Sequence, residues 1–394
     1  MRQYLLIALI AAVVTFVVSV AVYKLALKRG WHPPIRERDV HTRPTPRLGG
    51  VAMYVGVLVA VLVASVNPYF QIVFDGSGEV PAVLVSATLI VVIGVADDLW
   101  DLDWMIKLAA QFVTAGVIAW FGVQVYSLPI GGLTVGSSWL SFTLTVFIIV
   151  LVMNAVNFID GLDGLVAGVA LIANSVFFVY GYMMVRELGQ SSWFNLSLLI
   201  SAVLVGVCVG IMPLNFRPAK MFIGDGGALL VGLLMATSAI AMTGQINPEA
   251  LGAAGGDATL GRSQLIGAYI PVILPIAILI LPLLDFSLAV LRRLRAGQSP
   301  FAADRKHLHH RLLDLGHSHL NAVLVFYAWT SVISIACLLA FLIRPSWWAG
   351  LFLVVGVIVC TLFTIWPILS RRLSRRRSRS VPSPTPTPTP EELP

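Results

Sequence analysis

The chain has 394 residues, 58% of them hydrophobic and only 11% charged, with a mean hydropathy of +0.89. Soluble domains carry about a quarter charged residues, so a soluble globular class is excluded and a polytopic membrane protein is implied. The net charge of +7 reads as membrane orientation and not as nucleic-acid binding, because of where the cations fall.

Allowing about 20 apolar residues per span, eleven candidate spans follow in order: roughly 4–27, 49–66, 81–96, 105–122, 139–157, 163–185, 195–213, 225–243, 264–291, 321–343 and 347–369. The expected fold class is all-α, a polytopic bundle of about eleven transmembrane helices forming one unit over 1–370. The first span is too long for a signal-peptide core, and no small-residue cleavage site precedes Lys24, so it is expected to be retained. Cys208, Cys337 and Cys360 lie inside apolar runs and imply no disulfide framework. Of the 26 Lys and Arg, only Arg2, Arg186, Arg262 and Arg344 fall on the side of the N-terminus, which leaves 22 on the other. The positive-inside rule makes that richer side cytoplasmic, with the N-terminus outside and the C-terminus inside.

The residues with chemistry to offer sit in the cytoplasmic loops. Arg36–Gly50 carries Arg43 and Arg47 beside Pro44 and Pro46. Prolines stiffen such a segment and hold arginines in place for phosphate, although a basic flank that sets topology explains it equally well. Span 3 ends in Asp97-Asp98, followed by Asp101, Asp103 and Lys107. Adjacent carboxylates repel unless a cation compensates them, which favours a site over a solvated helix end.

Span 5 runs into NAVNFIDGLDGLVAG, Asn154 to Gly168. In a helix Asn154, Asn157, Asp160 and Asp163 would share one slowly drifting stripe. Asparagines alone suit a helix–helix contact, whereas two added aspartates suit a hard cation such as magnesium. After span 7 comes NFRPAKMFIGDGG, in which Asp225 opens span 8. An N-cap competes with a catalytic role there. Asp285, near Arg292 and Arg293, suits an internal ion pair as well as it suits catalysis.

The longest inner loop holds His307, His309, His310, His317 and His319, with Arg305, Lys306 and Arg311 interleaved. HLHH could bind a transition metal, but with no cysteine nearby the mixture reads as a donor-rich anion cradle. The tail over 371–394 is basic and then Pro/Thr-rich, suited to anionic headgroups and then to an extended disordered segment.

Paired aspartates, a polar stripe, basic segments and a histidine cradle, all on one face, call for magnesium bridging a diphosphate at the lipid–cytosol boundary. The reaction class that fits is phosphoryl transfer from a soluble diphosphate donor to a lipid acceptor. A cation-coupled transporter would place its carboxylates near the midplane and show repeated halves; a structural scaffold leaves them unexplained.

These motifs carry a resemblance. VADD with Lys107, NAVNFIDGLDGL, FIGDGG and ADRKHLHHRL resemble the polyprenyl-phosphate N-acetylhexosamine-1-phosphate transferases, glycosyltransferase family 4, over roughly residues 36–320. HLHHRL points to the bacterial, actinobacterial-type branch that uses UDP-GlcNAc, and away from the sister branch that transfers phospho-MurNAc-pentapeptide. The resemblance implies transfer of GlcNAc-1-phosphate from UDP-GlcNAc to undecaprenyl or decaprenyl phosphate, giving polyprenyl-diphospho-GlcNAc and UMP. This would be the first lipid-linked step of a cell-wall or surface glycan, in the plasma membrane.

It implies Mg2+, with Mn2+ as a substitute, no nucleic-acid partner, and allows a homodimer. It makes Asp225 the metal ligand, with Asp98 placed to share the metal, and gives Asp97 and Asp98 the lipid phosphate. Asn157, Asp160, Asp163 and a stacking Phe222 are assigned to the nucleoside. His307, His309, His310 and Arg311 are assigned to diphosphate or sugar, and Arg43 and Lys107 complete the substrate-binding set. One departure is Ala228, where the family pattern GDxGS has a hydroxyl; this puts a supporting hydrogen bond in doubt. Because a phosphate monoester has a second pKa near 6, the acceptor is already dianionic at neutral pH. Asp97 and Asp98 then need not act as a base.

Overall fold

Inside hydrocarbon every backbone N–H and C=O must be satisfied within the protein, which leaves the helix as the natural unit for a chain of apolar 20-residue runs. The computed structural model describes residues 1–31, 45–75, 78–125, 137–188, 192–243, 308–343 and 347–379, with isolated positions between 280 and 297. Among the described residues every regular element is helical. In order these are α1 (Arg2–Arg29), α2 (Gly49–Ser65), α3 (Gln71–Phe74), α4 (Glu79–Trp100), α5 (Trp104–Trp120) and α6 (Ser138–Ile159). They continue with α7 (Leu165–Leu188), α8 (Ser192–Asn215), α9 (Gly224–Thr243), α10 (Leu308–Asp314), α11 (His319–Leu342) and α12 (Trp347–Arg379).

Eight of these helices are long and apolar enough to cross a membrane, so the chain is a multi-pass membrane protein. The helix α2 and the segment Pro68–Phe74 make a ninth candidate bent by 92°, and α5 is a shorter apolar helix of 17 residues. The expected span over 264–291 lies outside the described residues except for scattered positions, as does the tail beyond residue 379.

Small residues set the packing order. The sequence of α9, GDGGALLVGLLMATSAIAMT, lets neighbouring backbones approach closely. It is the innermost helix, with 89% of its apolar stretch buried, and it packs against α2, α4, α6, α7 and α8. By contrast α12 is 6% buried and leans on α11.

The bundle has two distinct ends. One is tied by Tyr4 Oη donating to Asn195 Oδ1 (2.6 Å), Asn67 Nδ2 to Gln3 Oε1 (3.1 Å) and the Met1 ammonium to Tyr182 Oη (3.4 Å). The other gathers the segment before α2, the α4–α5 and α6–α7 turns, and the α8–α9 loop. Counting spans from the sequence assigns these four segments to one side, and the fold brings them together.

Two aspartates of the α4–α5 turn serve the chain reversal. Asp101 adopts the left-handed conformation (φ 54°) that ends α4, its N–H bonded to the Asp97 carbonyl at 2.8 Å. Asp103 caps α5 by accepting from Met105 N at 2.8 Å.

Candidate active site

Five segments contribute to one cluster. Asp97 and Asp98 end α4, Lys107 lies in the first turn of α5, Asn157 and Asp160 come from the end of α6, Asp225 opens α9, and Arg47 precedes α2. Two close approaches bring α4, α9 and the Arg47 segment this near. A Cβ on Gly94 would stand 2.5 Å from Gly226 N and 3.0 Å from the Asp225 carbonyl carbon, so α4 and α9 meet backbone to backbone one turn before Asp98. Gly224 has φ 72°, and a Cβ there would overlap the Arg47 carbonyl and the Asp98 carboxylate.

Backbone pairing fixes the remaining edge. Phe222 N donates to Pro46 O (2.9 Å), Gly49 N to Phe222 O (3.0 Å) and Gly50 N to Ile223 O (2.8 Å).

Asp97 and Asp225 approach each other side chain to side chain and share Lys107, while Asp98 faces elsewhere. Asp97 is buried; its Oδ2 accepts Lys107 Nζ at 2.9 Å and its Oδ1 accepts Leu102 N at 2.8 Å. Lys107 Nζ also stands 3.7 Å from Asp225 Oδ2. The two oxygens of Asp98 face Asp225 N (3.3 Å) and Gly226 N (3.5 Å), first-turn N–H groups of α9 that have no helical acceptor. An anion is favoured there by the helix dipole, so it is Asp98 that caps this helix. The Asp225 side chain, 32% exposed, turns instead toward Asp97, Lys107 and Asn157. Asn157 lies close to the Asp225 carboxylate without closing a hydrogen bond, and its Nδ2 is buried with no partner.

Asp160, just past the end of α6, is half-buried and accepts no hydrogen bond among the described residues. Burial, then the neighbouring charge of Asp225, pushes its carboxyl up to about 7, partly offset by Arg47. Asp163 lies one turn further on, where its Oδ2 accepts Ala219 N at 3.0 Å and ties this turn to the α8–α9 loop.

The structure thus brings together Asp97, Asp98, Lys107, Asn157, Asp160 and Asp225, with Asp163 adjoining. Phe222 is held beside them through its backbone, its ring half-buried. Arg311 is exposed on α10 and, among the described residues, bonds to none of the carboxylates. Arg43 and His307 lie outside the described residues, as do the side chains of His309 and His310.

The single polar stripe expected from Asn154 to Asp163 needs correction. The helix α6 ends at Ile159, so Asp160 and Asp163 leave the helical face. Asn154 instead makes a reciprocal amide contact with Gln111 of α5 and donates to Val150 O at 2.8 Å, which is the helix–helix contact reading of that residue. Arg47 was legible only as one of two loop arginines; the signal that singles it out is its place two residues before the Gly49-Gly50 pair that packs on the Phe222–Gly227 turn.

Among the described residues no three His, Cys, Asp or Glu side chains are spaced to hold a metal ion by themselves.

Carboxylates and cations gathered at one end of a membrane helix bundle suit phosphoryl chemistry at a membrane surface, and not passage through the middle of the bilayer. Residues 80–243, from α4 to α9, match the model of glycosyl transferase family 4. This chain is a multi-pass membrane transferase belonging to that family. It is 40% identical over 377 residues to the decaprenyl-phosphate N-acetylglucosaminephosphotransferase of Mycolicibacterium smegmatis, covering 94% of this chain and 90% of the relative. It is 30% identical over 361 residues to a probable undecaprenyl-phosphate N-acetylglucosaminyl 1-phosphate transferase of Bacillus subtilis, covering 89% and 90%. The undecaprenyl-phosphate alpha-N-acetylglucosaminyl 1-phosphate transferase of Escherichia coli is 26% identical over 329 residues, covering 80% and 78%.

Proposed function

We propose that this protein transfers GlcNAc-1-phosphate from UDP-GlcNAc to polyprenyl phosphate, decaprenyl or undecaprenyl, releasing UMP. The observation that carries the reading is the meeting of Asp97, Asp98, Asp160 and Asp225 with Lys107 and Arg47 at one end of the bundle. The names of relatives aligned over nearly the whole chain support the sugar and the lipid.

In the reaction an oxygen of the lipid phosphate bonds to the sugar-bearing phosphorus of UDP-GlcNAc. The bond from that phosphorus to the bridging oxygen breaks, and UMP leaves with the electron pair. One diphosphate replaces another, so no further energy source is needed.

The donor set fits magnesium. Asp225 would hold it, with Asp160 beside it and Asp98 adjoining, the latter's oxygens also facing the first N–H groups of α9. What magnesium supplies when bound is neutralisation of the diphosphate and stabilisation of charge on the departing phosphate. The chain's own residues do the rest. Lys107 offsets the charge of both Asp97 and Asp225, Asp98 anchors the start of α9, and the Asn157 amide stands ready to donate.

We place the N-terminus outside and the site on the cytoplasmic face, which the division of 26 cations into 22 and four supports; the lengths of the apolar runs support about eleven spans, and the bacterial relatives support a bacterial plasma membrane. Purified protein incubated with polyprenyl phosphate and a panel of UDP-sugars, with and without magnesium, tests the proposed transfer. UMP release should be greatest with UDP-GlcNAc and should vanish on chelation; equal release from every UDP-sugar, or none, refutes it.

A further inference from the structure

We propose that Arg47 is the cation that receives substrate phosphate in this site, a role that rests on the transfer reaction above. A phosphate entering the cluster meets Asp97, Asp98, Asp160 and Asp225, and its repulsion must be offset. Lys107 is already committed, at 2.9 Å from Asp97 and 3.7 Å from Asp225. Arg47 is placed differently. In the run Thr45–Gly50 it alone is exposed, while both of its neighbours, Pro46 and Leu48, are buried.

Its guanidinium lies within electrostatic reach of Asp98 and Asp160. Among the described residues it closes no ion pair. A planar fork of five N–H donors beside the carboxylates is therefore open to an incoming anion, in the geometry that suits phosphate oxygens.

The mounting is rigid and independent of the side chain. Pro46 O accepts from Phe222 N, and Gly49 N and Gly50 N donate to Phe222 O and Ile223 O, at 2.8 to 3.0 Å. These bonds hold the backbone around Arg47 against the turn that leads into Asp225, so the arginine and the carboxylate keep a set separation. Substitution at position 47 leaves all three bonds in place.

Two groups share the required chemistry, the lipid monophosphate and the nucleotide diphosphate, and kinetics separates them. R47Q and R47K are prepared in the full-length protein, their folding is checked by elution profile and melting temperature, and KM for each substrate is measured at one fixed magnesium concentration. Binding of UDP alone is measured in parallel by calorimetry.

R47Q should fold normally and raise the KM of one phosphate substrate about tenfold or more, the loss expected for a charge-assisted hydrogen bond. R47K should recover only part of this, because an ammonium lacks the fork. A rise for polyprenyl phosphate with unchanged UDP affinity assigns Arg47 to the lipid; weakened UDP binding with a raised KM for UDP-GlcNAc assigns it to the donor. Both KM values and UDP affinity within about twofold of wild type in R47Q overturn the proposal. Full recovery by R47K would uphold a cation in this role and overturn only the two-pronged geometry. A wild-type protein that releases no UMP from any UDP-sugar sinks the reaction and not Arg47, whose role is then decided by UDP affinity in R47Q against wild type.

Discussion

The contact between α4 and α9 makes a quantitative prediction for Gly94→Ala. The added methyl would lie 2.5 Å from Gly226 N and 3.0 Å from the Asp225 carbonyl carbon, where unstrained contacts need about 3.5 Å. The obstacle is backbone, so no rotamer change relieves it, and the helices must part by roughly 1 Å. That displacement falls on the turn joining Asp98 to the first N–H groups of α9, and therefore on the position of Asp225. A misplacement of about 1 Å in a catalytic array costs about a hundredfold in rate, while overpacking costs about 1–3 kcal/mol of stability. Gly116→Ala on α5 is the control, because the nearest atom to its new methyl, Phe142 Cζ, is 4.0 Å away. Both substitutions raise helix propensity by the same amount, up to about 1 kcal/mol, so any difference between them is steric. UMP release at saturating substrates, with melting temperature in the same detergent, reads both effects. Gly94→Ala with more than about half of wild-type turnover would show that the α4–α9 contact does not set the site.

Asp225→Asn keeps the size of the side chain and removes its charge. UMP release should fall to near background with an unchanged melting temperature, and near-normal turnover at saturating magnesium would leave Asp225 without a metal to hold. For orientation, cysteines replacing Val66 and Asp314 in a cysteine-free background lie at opposite ends of the bundle; an impermeant thiol reagent should label the first and not the second in intact cells, and labelling of both would undo the charge-based topology.

The described helices were legible because apolar runs bounded by Gly, Pro and charge leave few other folds in a membrane. The shared end of the bundle was legible for a simpler reason: alternate loops of a spanning chain must share a side. Side-chain roles were not. Asp98 and Asp225 read alike as carboxylates at helix termini, and only the meeting of α4 with α9 shows that Asp98 takes the cap while Asp225 joins Asp97 and Lys107. Asn154 and Asn157 sit three residues apart in one helix, yet Gln111 of α5 claims the first while the second borders Asp225. Periodicity places residues on a face but does not say which neighbour that face meets. It also assumed a helix through Asp163, where the chain turns after Ile159 and before Leu165. Arg47 was hidden for the same reason, since its neighbours come from a loop some 175 residues away, in contacts set by close packing of backbones.

These placements bear on whether the reaction needs a base. Asp97 already accepts Lys107 and Leu102 N, and Asp98 faces two backbone N–H groups of α9. Each carboxylate thus already has protein donors on both of its oxygens. The acceptor, with a second pKa near 6, brings its own dianion at neutral pH. The acidic limb of the rate profile should therefore follow the lipid phosphate, and an acceptor analogue with a lower second pKa should move the limb downward. Asp160, pushed up to about 7, titrates in the same region. A carboxylate with a raised pKa loses its charge as pH falls through that value, so its contribution to cation binding fades below about 7. Running the comparison in Asp160→Asn as well as in the wild type separates the two, since the acceptor's limb persists when Asp160 is removed. Magnesium bound to either group lowers its pKa, so its concentration must be held constant. A limb that ignores the analogue and disappears in Asp97→Asn or Asp98→Asn would show that one of these aspartates takes the proton after all.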